Sequence, residues 1–257
     1  GRDMREVLVF DVDGTLTPPR SRMEEAMSRL FRRIVVRRTV FLVSGSDIGK
    51  LQGQIDEDIL AATAGVFVCS GNELWRNGRL VRAMRHDFPA ELHAFAEALV
   101  AASSYHSRTG RHIETRTGTL NVSVVGRNAN KLQRRDYLNH DGRTGERRAI
   151  ASAIEARFPQ YEANCGGQIS IDITPRGWNK GRIIRDIRDE LHIEGVENIA
   201  IDFFGDNICP GGNDLPLARA LEADGPQHRL FRVSDHRETM RILQAEYRST
   251  DRRDAVA

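Results

Sequence analysis

The chain has 257 residues, room for one large domain or two modest ones, and its 38 Lys and Arg nearly balance 36 Asp and Glu, a formal charge of +2. That balance argues against a dedicated nucleic-acid binder or a polybasic membrane binder. A hydrophobic content of 40% suffices for a core, no apolar run reaches the about 18 residues of a membrane span, and Cys69, Cys165 and Cys209 form no CxxC pair, which together predict a cytoplasmic enzyme. Gly1-Arg2-Asp3 precede Met4 without a signal-type apolar stretch and read as an added remnant. Val7–Phe10 then forms a short apolar run that ends at Asp11-Val12-Asp13-Gly14, the pattern of a buried strand entering a loop. Met23, Met27 and Leu30 share a helical face. Thr39–Val43 is strand-like, Ile48, Leu51 and Ile55 recur at helical spacing, and Val66–Cys69 makes a third apolar run. Strands alternating with helices predict βαβ units and a parallel sheet.

The middle of the chain has another rhythm. Ala90–Ser103 predicts a helix with Leu92, Phe95 and Leu99 inward, and a second helix is expected over about Gly145–Phe158. Thr119–Val125 and Gln168–Thr174 alternate apolar and polar residues, which predicts strands of a sheet with one buried and one polar face. Ser170 and Asp172 share that polar face. From Asn179 the first rhythm returns: Ile183, Ile184, Ile187 and Leu191 mark a helix, and Ile199–Phe204 a strand. Gly205–Asn213 is a loop, Asp214–Leu221 a helix and Leu230–Val233 a last strand. Asp235 and Glu238 make a capping-box pattern for a final helix with Met240, Leu243 and Tyr247 on its face, and a frayed polar tail is expected from Arg248. The architecture expected is an α/β core with a parallel sheet, over residues 1–83 and 178–257, interrupted at 84–177 by an inserted α+β domain with an antiparallel sheet.

Asp11-Val12-Asp13-Gly14-Thr15 carries the chemistry. Ligands of open parallel sheets bind beyond the carboxyl ends of the strands, which is where this loop places two carboxylates. Such a pair can hold Mg²⁺ through oxygen ligands, although Asp and Gly are also ordinary turn residues. The string resembles the first signature of the haloacid dehalogenase-like phosphotransferases, in which the first Asp is the nucleophile and the second the general acid/base. Ser44, in Val43-Ser44-Gly45-Ser46-Asp47, is similar to that family's phosphate-binding hydroxyl, with Ser46 a rival because the family usually reads Gly-Gly-Ser-Asp. Lys180 resembles its lysine. Asp206, in Gly205-Asp206-Asn207, resembles its metal carboxylate, and Asp214 is either a further site residue or a helix cap.

Longer strings narrow the resemblance. Arg116-Thr117-Gly118-Thr119-Leu120-Asn121-Val122-Ser123, Gly166–Asp172, Gly177-Trp178-Asn179-Lys180 and Phe203–Asp214 are similar to the α-phosphomannomutases of that superfamily. The resemblance runs over about residues 7–220 and implies a Rossmann-like core with a large inserted cap. It implies substrate-binding roles for Arg20, Arg116, Arg127 and Arg134, with Arg135 a rival, and for Ser170 and Asp172. Guanidinium forks suit phosphate. It further implies Mg²⁺ on Asp11, the carbonyl of Asp13 and Asp206, a hexose 1,6-bisphosphate activator, and pairing of two chains through their caps. The expected substrate is a sugar phosphate, isomerised between mannose 6-phosphate and mannose 1-phosphate. Mg-dependent hydrolysis of sugar phosphates is the alternative. The second cation common in the family lacks a carboxylate near Ala220. Only three of the basic residues are lysines, and Lys50 and Lys131 gain no role at this stage.

Overall fold

The computed structural model describes residues 4–224 and 227–256, so that Gly1–Asp3 lie outside it. The chain opens with β1 (Arg5–Asp11), α1 (Glu25–Val35), β2 (Thr39–Val43), α2 (Ile48–Gln54), α3 (Glu57–Ala62) and β3 (Gly65–Val68). A hairpin follows, β4 (Glu73–Arg76) and β5 (Arg79–Ala83). The middle comprises α4 (Ala90–Ala102), β6 (Ile113–Arg116), β7 (Thr119–Val122), α5 (Lys131–Thr144), α6 (Glu146–Arg157), β8 (Tyr161–Gly166) and β9 (Ser170–Pro175). After a 3-10 turn at Lys180–Arg182 come α7 (Ile183–Ile193), β10 (Ile199–Gly205), α8 (Leu215–Asp224), β11 (Gln227–Arg232) and α9 (His236–Val256).

One sheet has the order β11-β10-β1-β2-β3-β4-β5, and the other β6-β7-β9-β8. The first five strands of the larger sheet are parallel. Their residues alternate between two apolar layers, as a sheet covered on both faces requires. Leu8 and Phe10 pack with Met27, Phe31 and Leu243 on one side. Val7 and Val9 pack with Ile183, Ile187 and Leu217 on the other. The β4–β5 hairpin adds antiparallel pairing to the expected parallel sheet. Its signal was Asn77-Gly78, whose φ values of 50° and 76° suit a type I′ turn.

The smaller sheet is antiparallel throughout. Leu120, Val122, Ile171 and Ile173 pack on Leu92, Tyr137, Ile150 and Ile154 of the three cap helices. In α4 the buried side chains are Leu92, Ala96 and Val100, whereas Phe95 and Leu99 are only partly buried. On the polar face of this sheet Asn121 and Asp172 are buried. Helix α5, unannounced by its polar sequence, starts at a full Asn130–Gln133 capping box. At α9, Asp235 accepts from the Glu238 N–H, but Glu238 reaches back to Ser234 rather than Asp235. The helix continues through Val256, past the point where fraying was expected. No described helix is long and apolar enough to cross a membrane.

The cap lies closed on the core. Arg116 Nη1 donates to the Gly45 carbonyl at 2.7 Å, and the Cys165 N–H to the Gly211 carbonyl at 2.8 Å. Cys165 O in turn accepts from the Asn213 N–H and from Asn207 Nδ2, each at 2.8 Å.

Candidate active site

β1, β2 and β10 end side by side, and the loop after each supplies part of one cavity. It is lined from below by Asp11, Asp13, Ser44, Ser46, Lys180 and Asp206, and from above by Arg116, Arg127, Arg134, Ser170 and Asp172, with Arg20 at the seam. All the residues singled out in the sequence as catalytic, substrate-binding or metal-binding thus share one space. Asn121, Gln168 and Asn213 also line it.

At the floor, Lys180 Nζ donates to Asp11 Oδ1 at 2.8 Å and to Asp214 Oδ1 at 2.9 Å. Asp214 immediately precedes α8, yet its carboxylate does not cap that helix: it accepts from Lys180 and, at 3.1 Å, from the Asn207 N–H. Thr15 Oγ1 bridges Asp11 Oδ2 and Asp206 Oδ1 at 3.3 and 3.2 Å. Gly14 makes this approach possible. Its φ is +78°, and a Cβ there would stand 2.2 Å from Asp206 Oδ2. Burial works against the Lys180 charge, but Asp11 and Asp214 outweigh it and hold the ammonium above its usual range. Burial pushes Asp11 well above the ordinary carboxylate value, with Lys180 opposing and Asp206 adding. Asp206 opens onto the cavity but is enclosed closely enough that lost hydration, with the charge of Asp214, pushes it to about 6. Asp214 is pushed to about 6 by burial and by Asp11.

Asp11, Asp206 and Asp214 can each place a carboxylate oxygen within 4.8 Å of the others. Three carboxylates face one ammonium, and all the donors are hard oxygens. This set fits Mg²⁺ in both charge and ligand type. Asp13 turns away: its Oδ1 accepts from Gln54 Nε2 at 2.6 Å and from the Arg20 N–H at 3.2 Å. Arg20 is held at φ 56°, a left-handed conformation that is uncommon outside glycine. Ser44 and Ser46 both line the cavity, and Ser44 Oγ accepts from the Ser46 N–H at 3.0 Å. Arg135 lies outside the lining residues, whereas Arg134 is buried among them.

The roof has the opposite sign. Burial, together with Arg116, Arg20 and Arg134, pushes the Arg127 guanidinium down to about 9. Burial and Arg20 push Arg134 down to about 10. Like-charged guanidinium groups gathered this closely have the charge to hold an anion. Arg127 Nη1 donates to Asn121 Oδ1 and Ser170 Oγ, and Asn121 Nδ2 donates to Asp172 Oδ1, so the polar face of the cap sheet is one connected network. Sequence reasoning missed Arg147. Its Nη1 donates to the carbonyls of Gly166, Gly167 and Ser170 at 3.0–3.1 Å, pinning the β8–β9 turn that lines the cavity. An arginine in a polar stretch of an arginine-rich chain carries no signal of that job.

A family model described as eukaryotic phosphomannomutase matches residues 23–245. The phosphomannomutase of Encephalitozoon cuniculi is 30% identical over 232 residues, covering 87% of this chain and 88% of its own. That of Dendrobium officinale is 31% identical over 229 residues, covering 84% and 86%. Among solved structures, the C-terminal domain of C. albicans trehalose-6-phosphate phosphatase aligns with a TM-score of 0.64 at 15% identity, over 94% of this chain and 91% of its own. An N-terminally truncated, IMP-bound Plasmodium falciparum IMP-nucleotidase aligns with a TM-score of 0.63 at 16% identity, over 94% of this chain and 68% of its own. At these identities the structural likeness is one of fold: a haloacid dehalogenase-like core bearing a cap.

Proposed function

This chain belongs to the phosphomannomutase family, and from that premise we propose that it interconverts mannose 6-phosphate and mannose 1-phosphate through an aspartyl phosphate and a hexose bisphosphate. The observation that carries the reading is the second, cationic pole of the cavity. Hydrolysis of a monophosphate needs only the floor, whereas a mutase must hold one phosphate at Asp11 and another remotely, then exchange them. Arg20, Arg116, Arg127 and Arg134 supply that remote hold.

Asp11 is the nucleophile, with its carboxylate oriented by Lys180 and Thr15. Asp13 protonates the leaving sugar oxygen and later takes the proton from the hydroxyl that recovers the phosphoryl group. Gln54 and the Arg20 N–H hold the Asp13 carboxylate for that role. Lys180 and a serine of the β2 loop, Ser44 or Ser46, hold the phosphoryl oxygens. Mg²⁺ would be held by Asp11, Asp206 and the Asp13 carbonyl, where it would supply charge neutralisation for the transferring group. Asp214 keeps Lys180 charged and in place. The closed cap keeps water away from the aspartyl phosphate, while Ser170 and Asp172 orient the sugar and the arginines. Exposed Leu132 and Leu138 on α5 support the expected pairing of caps, which sedimentation velocity reads directly.

The deciding experiment is ³¹P NMR of the protein with Mg²⁺, mannose 1-phosphate and a trace of glucose 1,6-bisphosphate. Growth of the 6-phosphate resonance is expected. Inorganic phosphate appearing in its place would mean that the chain is a hydrolase.

A further inference from the structure

Lys50 is a core residue that reaches the cap. It sits on α2, its N–H held by Asp47 Oδ1 at 2.9 Å, and its ammonium lies 3.7 Å from Glu114 Oε1 on cap strand β6. The same carboxylate stands 3.5 Å from Arg116 Nε and 3.5 Å from Arg127 Nε. All three contacts are long for charged hydrogen bonds. Arg116 Nε and Nη2 and Arg127 Nε are buried without a hydrogen-bond partner, the two Nε atoms meeting Glu114 only as long ion pairs, a costly arrangement for charged donors. Lys50 also lines a cleft that shares Asp13, Arg20 and Ser46 with the main cavity. One loosely placed carboxylate therefore faces three cations, and the two guanidinium groups among them keep buried N–H groups without hydrogen-bond partners.

We propose that Lys50 is a ligand of the remote phosphate contributed by the core, and that Glu114 is the counter-ion it gives up when that phosphate arrives. The proposal rests on the mutase reading for the identity of the anion. A tetrahedral dianion can take the free guanidinium N–H bonds that Glu114 leaves unmade, and Lys50 then joins Arg20 in binding it from the core side. Burial and the charges of Arg116, Arg127 and Arg20 push Lys50 down to about 8, and an incoming dianion relieves that repulsion. Because the remote phosphate is gripped from both layers at once, it rewards the closed arrangement. A small aryl phosphate has no second phosphate and leaves the Lys50–Glu114 pair undisturbed.

The test compares the wild type with Lys50→Met and Lys50→Arg, each as the full chain with Mg²⁺. Calorimetric titration with glucose 1,6-bisphosphate should show affinity lowered about tenfold or more by Lys50→Met, as loss of a charge-assisted bond implies, and largely restored by Lys50→Arg. Hydrolysis of p-nitrophenyl phosphate should keep its kcat/KM within about twofold in both variants, since no remote anion is present. Unchanged bisphosphate affinity in Lys50→Met, or an equal loss with both ligands, overturns the assignment. If the wild type hydrolyses mannose 1-phosphate without isomerising it, the mutase reading fails while the calorimetric comparison still decides the role of Lys50.

Discussion

Lys180 is 1% exposed and lies between Asp11 and Asp214, so its ammonium is fixed by two short ion pairs rather than by solvent. A guanidinium is broader, and in a buried slot it cannot make both contacts from one point. Lys180→Arg should therefore lower kcat by roughly 10²-fold or more, the usual loss when one fixed donor to the reacting group is misplaced. Lys180→Met should in addition cost about 3–5 kcal/mol of stability in the absence of Mg²⁺, because it strands two buried carboxylates. Steady-state kinetics and denaturant titration check the two parts, and near-native kcat in Lys180→Arg would refute the tight-slot argument. The residues that were legible in the sequence are those whose motif also states their position: Asp11, Asp13, Ser44, Lys180 and Asp206 all follow or precede recognisable elements. Lys50, Glu114 and Arg147 were not legible. Their roles arise from contacts made only when the cap meets the core or one turn packs on a helix, and a lone lysine or arginine is ordinarily a solvated side chain.

Arg134 shows how an element positions a charge. It lies in the first turn of α5, where Nε donates to the Ala129 carbonyl and Nη2 to the Arg127 carbonyl, which aims the guanidinium into the cavity. Arg134→Ala should impair isomerisation by about 10²-fold through loss of a charge-assisted phosphate contact, yet leave turnover of a small aryl phosphate within about threefold. Equal losses with both substrates would contradict a remote-phosphate role. The helix that carries this residue went unread, because its sequence has few apolar positions and only the Asn130–Gln133 box marks its start. The parallel strands, in contrast, were plain from short apolar runs ending in polar loops. The cap strands β7 and β9 were plain from their alternation, but β6 and β8 were missed, because Glu114, Arg116, Glu162 and Asn164 interrupt their apolar positions with polar and charged groups. Asn121 and Asp172, on the polar face that the alternation marked, are buried because the closed cap turns that face toward the core.

On the scale of the molecule, a net charge near zero conceals two local poles, a floor of carboxylates and a roof of arginines that line one cavity. The floor has a consequence for stability. Asp206 and Asp214 are pushed to about 6, so the metal-free folded protein holds protons that the unfolded chain has already released. Between about pH 4 and pH 6 the folded state binds more protons than the unfolded one, and stability falls as pH rises through that window. Above it Asp206 and Asp214 are ionised and their mutual repulsion is greater, which a bound Mg²⁺ would relieve; below it protons compete with the ion for the Asp206 oxygens. At a hundredfold excess over its dissociation constant at neutral pH, Mg²⁺ should raise the melting temperature by about 5–10 °C near about pH 7.5. The same concentration near about pH 5 should give a clearly smaller shift. Differential scanning fluorimetry with and without EDTA reads both. Equal shifts at the two pH values would mean that these carboxylates are already ionised at the lower one, and no shift at either would remove the ion from the floor of the site.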